Sequence, residues 1–85
     1  YDADPQVRER ATARGLADAV CDSAAEAVRD ADLVILCVPV GAMRAAAGEI
    51  AGALAPQAIV SDVGSSKQSV AGDLAAALPG ATVIP

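Results

Sequence analysis

The sequence has no histidine, tryptophan or phenylalanine, and Tyr1 is its only aromatic residue. Cys21 and Cys37 therefore lack the partners and the spacing that a structural zinc site needs. A single aromatic side chain gives nucleic acid bases no stacking platform. The 6 basic residues are scattered in a chain of net charge −5, which disfavours contact with phosphate backbones. The sequence therefore predicts neither a metal site nor a nucleic-acid partner.

Long hydrophobic runs are also missing. No apolar stretch approaches the roughly 20 residues that cross a bilayer. Residues 1–5 do not follow the pattern of a secretory signal peptide. We therefore expect no membrane association and a location in the reducing cytoplasm. There Cys37, which lies within an apolar run, is predicted to be a small buried hydrophobic residue.

The first part of the chain carries signals for short elements. Residues 1 and 2 have the character of the end of a strand. Asp4 followed by Pro5 is the pattern of a helix N-cap and a first helical residue. Gly15 is typical of the position just after a helix ends, so a helix is predicted over 5–14. A short strand is predicted at 19–21. A short helix then follows, capped by Asp22 or Ser23 and extending to residue 29.

The middle of the chain is more apolar. The run 33–38 shows no alternation, which is typical of a parallel strand covered on both faces. Pro39 ends this run, and a helix is predicted over 41–55 with an apolar stripe at steps of three and four. The stripe consists of Val40, Met43, Ala47, Ile50 and Leu54. Gly48 and Gly52 share one face of this helix. They indicate either that the helix approaches the sheet closely or that it is a loose surface helix.

A strand at 58–61, a turn at 64–66, a helix over 67–78 and a strand from residue 82 complete the pattern. Short connections between alternating strands and helices predict an α/β fold, a partial Rossmann-type doubly wound parallel sheet. No G-x-G-x-x-G motif occurs in the sequence. We therefore expect residues 1–85 to be part of an NAD(P)-binding domain whose first strand and glycine-rich loop lie outside this sequence.

Two segments are candidates for cofactor binding. An acid at the end of a Rossmann strand accepts hydrogen bonds from the ribose hydroxyls and repels the 2′-phosphate of NADP, and Asp2 has this position. The alternative is a surface aspartate near a helix start. Val38, Pro39 and Val40 form an abrupt exit from a buried strand, at the sheet edge that borders the cofactor in such folds. Alternatively, these residues only mark the start of the following helix.

A third segment combines an acid, a glycine, two hydroxyls and a lysine after an apolar strand. It reads Ser61-Asp62-Val63-Gly64-Ser65-Ser66-Lys67. Ser65 either binds a polar substrate group or caps the following helix. Lys67 is more simply explained as a residue on the helix surface. The spacing of a phosphate-binding P-loop is absent.

Together these segments resemble a known family. Tyr1-Asp2-x-x-Pro5, Cys37-Val38-Pro39-Val40 and the 61–67 segment occur in the order found in the nucleotide-binding domain of the prephenate/arogenate dehydrogenases of tyrosine biosynthesis. The resemblance covers the whole chain, and Asp-Val-Gly-Ser-Ser-Lys is its specific part. It implies oxidative decarboxylation of prephenate or arogenate, with hydride transfer to NAD or NADP.

The resemblance also assigns roles to individual residues. It implies that Ser65 is a catalytic residue, which positions the substrate hydroxyl and the histidine that takes its proton. It implies that Asp2 binds the cofactor ribose, which favours NAD. The family's histidine, its carboxylate-binding arginine and its helical dimerisation domain are expected outside this chain, in a parent protein that is a homodimer. The fragment alone is then expected to be inactive.

Two other classes of protein fit parts of this sequence pattern. A β-hydroxyacid or pyrroline-carboxylate type dehydrogenase shares the strand exit at Val38 and Pro39. A Rossmann-like module that binds a ligand without turning it over shares the fold. The sequence does not choose between prephenate and arogenate.

Overall fold

The computed structural model describes residues 1–63, 74, 77–78, 80 and 82–84. Its sheet has 3 strands in the order β1-β2-β3, with β1 at Leu33–Leu36, β2 at Ile59–Asp62 and β3 at Thr82–Val83. Both pairings are parallel, as the alternation of strands and helices predicts. The register sets Val34 beside Val60 and Leu36 beside Asp62.

Three helices lie within residues 1–63, each in the region where the sequence predicts one. Helix α1 spans Pro5–Ala13, α2 spans Ala24–Val28 and α3 spans Met43–Ile50, which follows a 3₁₀ turn at Val40–Ala42. The carboxylate of Asp4 accepts a hydrogen bond from the backbone N–H of Gln6 over 2.9 Å, which confirms the predicted N-cap of α1. Gly15 ends α1 with a φ of +62°, a conformation that favours glycine.

The core lies on one face of the sheet, between the strands and α2 and α3. Met43, Ala47 and Ile50 of the predicted stripe are buried, and Leu54 packs against the same cluster. The other core residues are Val28, Val34, Leu36, Val60, Leu74 and Leu78. Leu74 and Ala77 are helical, and the other residues of the predicted helix 67–78 apart from Leu78 lie outside the described part of the chain.

The prediction that 33–38 is covered on both faces is wrong for the described structure. Leu33 is 57% exposed and Ile35 is 54% exposed, whereas Val34 and Leu36 are buried. Strand β1 ends at Leu36, two residues earlier than predicted. The predicted burial of Cys37 is wrong for the same reason, because strand alternation turns it to the side of Leu33 and Ile35, where it is exposed.

Two further predictions need correction. Residues 19–21 do not form a strand, because the described sheet pairs only β1, β2 and β3 and offers this segment no partner. Helix α3 ends at Ile50 rather than at residue 55, and the chain turns at 51–53. A Cβ added at Gly48 or Gly52 would meet no atom within 4 Å, so these glycines do not mark a close approach to the sheet.

Candidate functional site

A cavity of about 650 Å³ lies along the outer edge of β1 and brings together three residues predicted to bind a cofactor. Asp2, Val38 and Pro39 all line it, although Asp2 is remote from the other two in sequence. Alanines form much of the remaining wall: Ala24 and Ala27 of α2, Ala31, and Ala42, Ala45 and Ala46 next to or within α3.

Local hydrogen bonds set the position of Asp2. Its Oδ1 accepts a hydrogen bond from the backbone N–H of Asp4 over 2.9 Å, which forms a tight turn before α1. Asp4 in turn caps α1, so the carboxylate of Asp2 is tied to the start of the helix. Among the described residues, none donates a hydrogen bond to Oδ2 of Asp2. That oxygen is therefore available to a ligand hydroxyl.

Arg8 also holds the backbone of Asp2. Its Nη1 donates a hydrogen bond to the carbonyl oxygen of Asp2 over 2.6 Å. Its guanidinium carbon lies 5.4 Å from the centre of the Tyr1 ring, within the range of a cation–π contact. Its Nε lies 3.9 Å from Oδ1 of Asp22, an ion pair that contributes little because Asp22 is almost fully exposed.

The chain leaves β1 after Leu36 and reaches Pro39 three residues later, so the proline does not directly follow the strand as predicted. Val38 is half-buried against the core, and Pro39 is exposed at the cavity. The carbonyl oxygen of Pro39 accepts a hydrogen bond from the backbone N–H of Ala42 over 2.9 Å, which forms the 3₁₀ turn. Val40 begins that turn, and its side chain lies outside the described part of the structure.

The predicted catalytic residue, Ser65, lies outside the described residues, as do Gly64, Ser66 and Lys67. The segment that leads to them is described. Asp62 ends β2 with only 6% of its surface exposed, on the core face beside Leu36. The backbone N–H of Val63 donates to the carbonyl oxygen of Leu36 over 3.2 Å. The chain therefore leaves β2 at the same sheet edge at which β1 ends.

The charge of the cavity limits what it can hold. Among the described residues that line it, the charged ones are Asp2 and Glu49, both acidic. Apolar walls with a carboxylate acceptor suit a nucleoside, whose hydroxyls donate hydrogen bonds and whose base packs on small side chains. The same acidic lining does not suit a diphosphate group. Within the described ranges, no cluster of histidine, cysteine, aspartate or glutamate side chains is arranged to hold a metal ion.

Sequence reasoning missed some features of this site. Nothing in the sequence identifies Arg8, because its contacts depend on how the chain before α1 folds back over the helix. The alanines of α2 and α3 carry no group that a sequence motif could identify, yet they form much of the cavity wall. The burial of Asp62 follows from the strand register, since its neighbour Leu36 faces the core.

Comparison with known proteins identifies relatives of this chain. A cyclohexadienyl dehydrogenase of Zymomonas mobilis subsp. mobilis is 47% identical over 85 residues, which are 100% of this chain and 29% of that protein. The crystal structure of prephenate dehydrogenase from Aquifex aeolicus matches with a TM-score of 0.77 and 31% identity, over 92% of this chain and 28% of the other. The chain thus spans less than a third of either relative. No helix in the described ranges is long and apolar enough to span a membrane. The family model described as "Prephenate dehydrogenase, nucleotide-binding domain" matches residues 1–85, and the chain belongs to this family.

Proposed function

We propose that this chain forms the nucleoside-binding wall of the cofactor site in a longer NAD-dependent dehydrogenase, which oxidatively decarboxylates prephenate or arogenate. The observation that carries the proposal is the single cavity lined by Asp2, Val38 and Pro39. The family relationship and the Rossmann-like sheet support it. The partner is a small molecule, and the parent protein is a homodimer.

The residues of the cavity have distinct roles in this proposal. Oδ2 of Asp2 accepts a hydrogen bond from a ribose hydroxyl, while Oδ1 stays bound to the N–H of Asp4. Val38, Pro39 and Val40 border the cofactor where the chain leaves β1. The carboxylate of Asp2 repels a 2′-phosphate, so NAD is favoured over NADP. The diphosphate is held by a glycine-rich loop, a motif that this sequence does not contain.

The chemistry itself needs groups beyond these residues. When bound, the nicotinamide supplies the acceptor for the hydride that leaves the hydroxyl-bearing ring carbon of the substrate. The substrate also passes its hydroxyl proton to a general base and loses its ring carboxylate as CO₂. The electron pair of the broken C–C bond makes the ring aromatic, and the ring oxygen takes a proton back to give 4-hydroxyphenylpyruvate or tyrosine. Ser65 positions the substrate hydroxyl. The general base lies outside this chain, which contains no histidine.

The proposal is tested with the full-length protein, NAD⁺ and either prephenate or arogenate, by following the absorbance of reduced nicotinamide. We expect turnover with at least one of these substrates and none from the 85-residue chain alone. β-Hydroxyacids and a pyrroline carboxylate serve as comparison substrates. Turnover confined to those compounds would assign the protein to another dehydrogenase class. Nucleotide binding without any turnover would indicate a non-catalytic module.

A further inference from the structure

Arg8 is packed behind the residue that we propose binds the ribose. It bonds the carbonyl oxygen of Asp2 and covers the ring of Tyr1, and its own side chain is only 19% exposed. Tyr1 and Asp2 line both the large cavity and a smaller one of about 160 Å³, whereas Arg8 lines only the smaller one. Arg8 thus contacts the Tyr1–Asp2 segment without lining the large cavity.

We infer that Arg8 is a positioning residue, which holds the Asp2 backbone so that its carboxylate faces the large cavity, and that it thereby sets the preference for a nucleotide without a 2′-phosphate. This inference rests on the proposed function. Arg8 acts through Asp2 and does not itself touch the nucleotide.

The contacts of the guanidinium distinguish this role from phosphate binding. An arginine that reads a phosphate presents its planar fork to the ligand. Here Nη1 donates to the Asp2 carbonyl, Nε faces Asp22, and the plane lies near the Tyr1 ring. Arg8 therefore joins the segment before α1 to the body of the helix and to the loop before α2.

Loss of these contacts has a predictable effect on the carboxylate. Asp2 is exposed and is otherwise tied down by its own bond to the N–H of Asp4. Without Arg8, the segment before α1 samples more conformations, and the carboxylate spends less time where it can accept ribose hydrogen bonds. A displaced carboxylate also repels a 2′-phosphate less strongly. Affinity for NAD should fall, while affinity for NADP should hold or rise.

The test measures dissociation constants of the full-length protein for NAD⁺ and NADP⁺ by calorimetry, without substrate. We expect Arg8→Ala to weaken NAD⁺ binding on the order of tenfold and NADP⁺ binding by no more than about twofold. Arg10→Ala is the matched control, because it removes the same charge from an exposed position of α1. Arg10→Ala should leave both dissociation constants within about twofold of those of the unaltered protein. The midpoint of thermal unfolding without nucleotide checks that each variant folds.

Two further variants separate positioning from a general loss of structure. Arg8→Lys keeps the charge but lacks the fork that reaches both Asp2 and Asp22, so NAD⁺ binding should weaken by an intermediate factor. In an Asp2→Ala background, Arg8→Ala should have little additional effect on NAD⁺ binding, because Arg8 acts through Asp2. If Arg8→Ala does not fold, Arg8→Lys and its combination with Asp2→Ala carry the same test.

The outcomes are distinguishable. A larger loss of NADP⁺ than of NAD⁺ affinity would make Arg8 a phosphate ligand and overturn the inference. Unchanged constants in Arg8→Ala, or additive effects with Asp2→Ala, would overturn it while leaving the proposed function intact. If the unaltered protein binds neither nucleotide, both the proposed function and this inference fail.

Discussion

The side-chain oxygen of Ser23 accepts a hydrogen bond from the backbone N–H of Glu26 over 3.1 Å, and this contact begins α2. A helix of 5 residues has little stability of its own, so α2 depends on its cap and on the burial of Val28. Ala24 and Ala27 of this helix line the large cavity. The cap at Ser23 therefore supports one wall of the candidate cofactor site.

We expect Ser23→Ala to lower the free energy of unfolding by about 0.5–2 kcal/mol, the usual cost of a lost N-cap. Ser23→Asp should retain most of the stability, because aspartate also accepts the hydrogen bond of the cap. Denaturant titration of both variants in the full-length protein checks this expectation. Equal stability of Ser23→Ala and the unaltered protein would show that the rest of the fold holds α2 in place.

Local signals in the sequence predicted the start of α1 and limited the cap of α2 to Asp22 or Ser23. Asp4 and Ser23 act within a few residues of themselves, so their capping contacts do not depend on the rest of the fold. The apolar stripe of α3 was also predictable, because a helix buries one face whatever lies beneath it. These elements explain why the order of strands and helices was predicted largely correctly from sequence alone.

Features that depend on distant parts of the chain were not predictable. An apolar run does not reveal whether both of its faces are covered, and Leu33 and Ile35 are exposed in the described structure. Residues 19–21 have the composition of a strand but no partner in the described sheet. The large cavity joins Asp2 to Pro39 through tertiary packing. The predicted position of each at the end of a strand pointed to these residues before the family resemblance did, whereas their spacing in the sequence did not.

Substitution of Ile50 tests the position of the core. This residue is 1% exposed at the end of α3 and belongs to the core cluster. Ile50→Ala should lower the free energy of unfolding by about 2–5 kcal/mol, because lost burial adds to the cost of a cavity. Leu16, which is 71% exposed, is the matched control, and Leu16→Ala should change stability by no more than about 0.5 kcal/mol. Comparable losses at both positions would contradict the one-sided core.

Two glycines should respond to the same substitution with opposite signs. Gly15 has a φ of +62°, and Gly15→Ala should cost about 1–2 kcal/mol because alanine is strained in this conformation. Gly48 lies inside α3, where an added Cβ meets no atom within 4 Å. Gly48→Ala should therefore stabilise the protein by about 1 kcal/mol. The midpoints of thermal unfolding of the two variants give the comparison. A lower midpoint for Gly48→Ala would indicate that α3 closely approaches a neighbouring element at this position.

Ser65 is the residue on which the proposed chemistry depends most directly. If its hydroxyl positions the reacting group, Ser65→Ala in the full-length protein should lower kcat by roughly 10–1,000-fold and leave nucleotide affinity nearly unchanged. Ser66→Ala is the matched control, because it removes a hydroxyl from the adjacent position of the same Gly-Ser-Ser-Lys segment. It should retain most of the activity. Steady-state kinetics and a nucleotide titration of both variants separate the two roles. A Ser65→Ala protein with wild-type kcat and reduced stability would instead make Ser65 a helix cap.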